Sequence, residues 1–227
     1  MVSMMITEYF DWVPPMDIAR SLSKCEDTFV FLNSSLDCGY SGRYSYLAWD
    51  LDKVVSGDSW DLLESVVSTD QGCFENAWFG YLGYELKNQL EKMPEDEPSF
   101  IQMPQLWFAR FNAIAVFDHY SKKITLYKKK SLIQLPTPIS KDVFNAPVIT
   151  GLSTTMTKPQ YMEQVRSILE AIAKGDLYQA NLTRKIFGEF SVDPSPFDIF
   201  SRLMKVSPAP YASYLKLGDQ YIISSTP

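Results

Sequence analysis

The last third of the chain spells out both ends of a helix and the elements that follow it. Thr157 and Gln160, three residues apart, form a capping box, in which hydroxyl and amide each satisfy an otherwise orphan amide of the first turn. Tyr161, Val165, Ile168, Leu169 and Ile172 then recur on one stripe of a 3.6-residue period, and Gly175 offers the left-handed stop. Tyr178, Ala180 and Leu182 next alternate with Gln179, Asn181 and Thr183, the period of two that predicts a strand with one buried face. A second helix opens at Ser195 with Pro196 in its first turn, and its spacing buries Phe197, Phe200 and Leu203. Gly218 and Asp219 separate residues 214–217 from 221–225, the signature of a two-residue hairpin.

Upstream, short β-like runs cover residues 29–32, 44–49, 77–86, 107–118 and 124–128, with one helix predicted over 61–67. Residues 112–117 and 124–127 read as a hairpin around a longer loop. Gly80 and Gly83 inside an aromatic strand imply close backbone approach or a bulge. Residues 131–153 contain Pro136, Pro138 and Pro147 and show neither period, so they read as a linker. The expectation is an α+β protein, antiparallel β-sheets with peripheral helices, divided into a region 1–150 and a region 151–227.

Composition narrows the function classes. With 46% hydrophobic and 14% aromatic residues the 227-residue chain has ample material for a packed core. Its 21 basic against 27 acidic residues give a net charge of -6, so no basic excess exists to neutralise phosphates and nucleic-acid binding is not expected. Lys128, Lys129 and Lys130 read as a solvated strand end. No segment approaches the roughly 20 apolar residues of a membrane span, and the N-terminus lacks the pattern of a signal peptide. A cytoplasmic protein without membrane partners is expected. Cys25, Cys38 and Cys73 are odd in number and far apart, which suggests reduced thiols. His119, the single histidine, falls in a turn and reads as an exposed loop residue with no nucleophile motif beside it. Glu95, Asp96 and Glu97 read as a solvated loop rather than a metal site.

Several strings carry a resemblance when taken together and in order: FLNSS at 31–35, GYSGRYSYLAW at 39–49, AWFGYLGYELKNQLE at 77–91, GDLYQANLTRKIF at 175–187 and SPAPYASYLKL at 207–217. The chain resembles the aminodeoxychorismate synthase component I and anthranilate synthase component I family of chorismate-utilising enzymes, over nearly its whole length and about half of a family member. The resemblance implies an incomplete anthranilate synthase component I-like fold. It also implies an amino-acid pocket, of the kind that takes tryptophan, lined by Ser34, by Arg43, Tyr44, Ser45 and Tyr46, and by Pro210, Tyr211 and Ala212. Asn33 stands where tryptophan-sensing members carry a glutamate, and a neutral amide pairs less strongly than a carboxylate with an ammonium. Each segment alone also fits plain structure: a half-buried strand at Tyr44 and Tyr46, a turn at Pro210, a loop hydroxyl at Ser34. The pocket rests on the three matching together.

For the complete enzyme the resemblance implies amination of chorismate to 4-amino-4-deoxychorismate, on the way to 4-aminobenzoate and folate. Ammonia would come from a glutamine amidotransferase partner, and Mg2+ would lie between the substrate carboxylate and protein glutamates. YQANL and LKNQLE favour this branch over anthranilate synthase, and Glu85 reads as structural. The family's catalytic glutamates, histidine and lysine fall beyond residue 227. The expectation is therefore an N-terminal fragment with no catalytic or metal-binding residue and no cofactor of its own, inert toward chorismate and prone to self-association. The alternative of another class is a non-catalytic amino-acid-binding or interaction module.

Overall fold

A strand whose residues are apolar almost without interruption needs cover on both faces, and LWFARFNAIAVFD is the longest such run. The computed structural model describes residues 5–36, 38–39, 41–66, 74–93, 102–140 and 147–226. In chain order its elements begin with β1 (Ile6–Asp11), α1 (Pro15–Cys25), β2 (Thr28–Asn33), β3 (Tyr44–Gly57) and the four-residue α2 (Asp61–Glu64). Then come β4 (Trp78–Leu82), β5 (Leu106–Asp118), β6 (Lys123–Lys128), β7 (Ile149–Thr154) and α3 (Lys158–Lys174). Last are β8 (Ile186–Phe190), α4 (Pro196–Val206), β9 (Ala212–Leu217) and β10 (Gln220–Ser224).

The apolar run is β5, and it lies inside an antiparallel sheet of order β1-β6-β5-β3-β2-β9-β10. One flank of β5 serves two strands end to end: β4 pairs with its residues 106–110 and β6 with its residues 113–118. On one face of the sheet, Ile18, Ala19 and Leu22 of α1 and Phe197, Phe200 and Met204 of α4 bury Phe31, Leu47, Phe117 and Tyr214. On the other face Phe79 and Trp107 pack with Val30, Ala48, Ile114 and Leu215. Each fully buried aromatic or aliphatic side chain of this kind contributes about 1.5–3 kcal/mol. Arg20 of α1, itself buried, pairs with Asp198 of α4 at 2.9 Å and donates to Ser201 Oγ at 3.2 Å. Gly80 permits the close β4–β5 approach expected of it, since a Cβ there would lie 2.7 Å from Phe108 Cα and strike the Trp107 carbonyl.

The compact units are set by strand pairing rather than by order along the chain. Met1–Asp142 group with Pro196–Pro227, and Val143–Ser195 form the second unit. β9 enters the sheet beside β2, with Asn33 opposite Ala212. The second unit consists of α3 and the two-stranded sheet β7-β8. The capping box at Thr157 and Gln160 is formed, and Gly175 ends α3 at φ 82°. No side chain of α3 is fully buried: Tyr161, Val165 and Ile168 of its apolar stripe are half-buried, and Leu169 and Ile172 are exposed.

Some expectations need correction. The strand predicted over 178–183 does not form, and Tyr178 is 90% exposed. The strand of this stretch is β8, because β7 is in register with it from Ile149↔Phe190 to Thr154↔Ile186. A period of two without a partner makes no ladder. β7 in turn occupies the end of the expected linker. Residues 131–140 are irregular yet held down: Ile133 and Leu135 pack on the core, and Ile139 N–H donates to the Asp17 carbonyl at 3.0 Å. The helix over 61–67 shortens to α2, with residue 67 outside the described set, and the run 77–86 leaves the sheet at Leu82 for a 3₁₀ turn at Tyr84–Gln89. Lys128 is no solvated strand end. It is buried, pairs with Glu8 at 2.7 Å and donates to the carbonyls of Ser131 and Ile133, while Lys129 and Lys130 pair with Asp52 and Asp50. Cys25 and Cys38 are free thiols; Cys73 and the acidic run at 95–97 lie outside the described residues.

Candidate functional site

Strand register decides which side chains can meet at the site. β2 and β3 pair with Leu32 opposite Tyr46, so Leu32, Tyr46 and, two residues on, Tyr44 share one face, while Ser45 turns to the other. β9 on the far side of β2 brings Ala212, with Pro210 and Tyr211 before it, level with Asn33. Gly42, at φ 91°, turns the chain into β3 where an L side chain would be strained. The result is a cavity of about 440 Å³. Its lining includes the expected Ser34, Arg43, Tyr44 and Tyr46 from one side of the chain and Pro210, Tyr211 and Ala212 from the other.

Hydroxyls lock the two sides together. Ser34 Oγ has the Tyr44 carbonyl at 2.7 Å and the Pro210 carbonyl at 2.9 Å, and its one proton serves both. Ser35 Oγ accepts from Ala209 N–H at 2.9 Å and donates to the Ala209 carbonyl at 3.0 Å, while Ser35 N–H donates to that carbonyl at 3.0 Å. These bonds span 176 residues of sequence at Ser34.

Arg43 is the charged member. Its Nη2 donates to Asp118 Oδ2 at 2.8 Å and its Nε to Oδ1 at 3.3 Å, with the guanidinium 4.8 Å above the Tyr44 ring and 5.7 Å from that of Tyr120. The Asp118 carboxyl, bonded first by Arg43 and also by the N–H groups of Tyr120 and Ser121, is held well below the usual carboxylate range. The same bond raises the Arg43 guanidinium above its ordinary value. Burial, and next the nearby Tyr44, push the Tyr46 phenol up, so it stays neutral.

Ser45 does not line the cavity. It is fully buried on the opposite face, where its Oγ accepts from Ser34 N–H at 2.9 Å and lies 3.3 Å from Asn33 Oδ1 and 2.7 Å from His119 Nε2. His119 is accordingly half-buried rather than exposed, with the Trp12 ring 5.1 Å away. Leu32, Ser41 and Gly42 also line the cavity and were not foreseen. Leu32 was recoverable only through its register with Tyr46, which no local pattern in the sequence states.

The chain matches the model of the chorismate binding enzyme family over residues 30–227. It is 28% identical over 171 residues to anthranilate synthase component 1 of Thermus thermophilus, covering 65% of this chain and 34% of that protein. It is 26% identical over 184 residues to aminodeoxychorismate synthase component 1 of Bacillus subtilis, covering 73% and 38%. Against anthranilate synthase component 1 of Saccharolobus solfataricus the figures are 23% over 224 residues, 96% and 52%. The crystal structure of anthranilate synthase component I from Streptococcus pneumoniae superposes with a TM-score of 0.62 at 20% identity, over 82% of this chain and 50% of that one, which shows the shared α+β fold. The chain spans about a third to a half of the length of these curated relatives. With a family match over the greater part of its residues, the chain belongs to the chorismate binding enzyme family.

Proposed function

We propose that the chain is the N-terminal part of an aminodeoxychorismate synthase component I, and that its cavity at β2, β3 and β9 holds a tryptophan-like amino acid. The observation that carries the site is the convergence of three separate segments, through residues 33 and 34, residues 43, 44 and 46, and residues 210–212, on one cavity of about 440 Å³. Concave sites of about 300–1,000 Å³ with apolar walls and a few polar groups suit small ligands. The string YQANL supports the aminodeoxychorismate branch, and both component names recur among the relatives. The complete enzyme would aminate chorismate in the cytoplasm with ammonia from an amidotransferase subunit. Among the described residues no three His, Cys, Asp or Glu side chains come together as a metal site needs, so these residues do not fit the Mg2+ of the complete enzyme.

Two measurements on the purified chain test this. Calorimetric titration with tryptophan should show binding that Tyr46→Ala weakens about tenfold or more, as loss of an aromatic wall implies; absence of any heat or thermal shift counts against the site. Incubation with chorismate, glutamine or ammonia, the amidotransferase and Mg2+ should leave chorismate unconsumed. Formation of aminodeoxychorismate or anthranilate above the enzyme-free control would overturn the reading of this chain as a non-catalytic part.

A further inference from the structure

The charges around the cavity are unequal in a way that bears on what it recognises. Among the described lining residues Arg43 is the one cation and no carboxylate is present. Of the five guanidinium N–H donors, Asp118 uses two, and its Oδ1 is also shared with the N–H groups of Tyr120 and Ser121. The remaining donors face no other described acceptor, which suits a ligand carboxylate. The acceptors open to a ligand ammonium are all neutral. They are the carbonyls of Tyr44 and Pro210, which share the single Ser34 proton; the Asn33 amide, itself buried, turns to the opposite face with Ser45. A hydrogen bond with an ionised donor or acceptor is about twice as strong as a neutral one, and here only a ligand carboxylate also meets an opposite charge. An ammonium entering here would lose water and gain only neutral partners, a nearly balanced exchange. The walls meanwhile are aromatic: Tyr44, Tyr46 and Tyr211.

We propose that this cavity selects aromatic carboxylates, with Arg43 as the specificity-determining residue, and that the ammonium of an amino-acid ligand adds nothing to affinity. The inference rests on the cavity being a small-ligand site, as above, and narrows the class from zwitterionic amino acids to aromatic acids with or without an amino group. Titration of the full chain with three matched probes separates the contributions: tryptophan, indole-3-propionate, which lacks the ammonium, and tryptamine, which lacks the carboxylate.

Indole-3-propionate should bind within about threefold of tryptophan or more tightly, and tryptamine about tenfold or more weakly, the scale of one charge-assisted bond. Arg43→Gln, at a side chain half exposed to solvent, should weaken indole-3-propionate about tenfold and leave tryptamine unchanged. Tryptophan binding about tenfold more tightly than indole-3-propionate, or tryptamine matching tryptophan, would overturn the inference while leaving the site in place. No binding by any of the three would remove the site itself, and the inference with it. The probe comparison on the unmodified chain decides even if the variant folds poorly.

Discussion

Lys128 and Asp118 show how differently two ion pairs behave when one is buried and the other wet. The Lys128 ammonium is 1% exposed and satisfies the carbonyls of Ser131 and Ile133 besides Glu8. Lys128→Met keeps most of the stem but leaves those two carbonyls without a donor, so thermal unfolding should show a loss of about 1–3 kcal/mol. An unchanged melting temperature would mean that water replaces the ammonium. Asp118 pairs with a half-exposed Arg43, and here the effect is one of pH. Its pKa lies below the ordinary value of 3.8, so its stabilising contribution is present above that value and is lost as pH falls through the folded one. Wild type should melt above Asp118→Asn at neutral pH, and the gap should narrow progressively as pH falls below about 4; a gap that stays constant into acid contradicts this. Gly80→Val should destabilise by about 1–3 kcal/mol or more, because the obstacle is the backbone of β5 and not a side chain that can rotate away.

Among the elements, α3 depends most on its ends. With no side chain fully buried it has little tertiary support, and the capping box and Gly175 carry a larger share of its stability than they would in a packed helix. Thr157→Ala should cost it about 0.5–2 kcal/mol, read as faster hydrogen exchange of the first-turn amides; unaltered exchange would point to cover that the described residues lack. α3 is also the element most legible in sequence, since both caps are local chemistry. The hairpin at Gly218 and Asp219 was legible for the same reason, its two-residue loop joining Leu217 to Gln220. β8 was not, because the alternation at 178–183 is as good as a strand's and only the register with β7 selects residues 186–190. β1 and α1 were missed although α1 buries Ile18, Ala19 and Leu22. At the site, the strings at 43–46 and 210–212 were readable, whereas the sidedness that sends Ser45 to His119 depends on which face of the sheet the cavity occupies.

For the whole molecule the pattern of uncovered apolar surface matters. In the second unit Ile149, Leu152, Leu169, Ile186 and Val192 are each at least half exposed. The sheet of the first unit ends on β10, which pairs only with β9 among the described residues. Open edges and apolar faces recruit other chains. Light scattering should therefore give a mass that rises with concentration, and double substitution Leu152→Lys with Leu169→Lys should reduce it. A monodisperse monomer at all concentrations would show that the chain is self-sufficient and would favour a free-standing binding module. No helix among the described residues is long and apolar enough to cross a membrane.

The Ser34–Pro210 bond joins residues 176 apart, and this separation has a temporal meaning. During synthesis the left wall of the cavity exists long before the right one, and contacts of such long range close late and slowly. Until β9 docks, β2 presents a bare edge, and a ligand that needs both walls can bind only chains in which β9 is in place. Ligand at about a hundred times its dissociation constant would favour that state by about 2.7 kcal/mol. A ligand bound at the proposed site would thus raise the yield of chains in which β9 has docked.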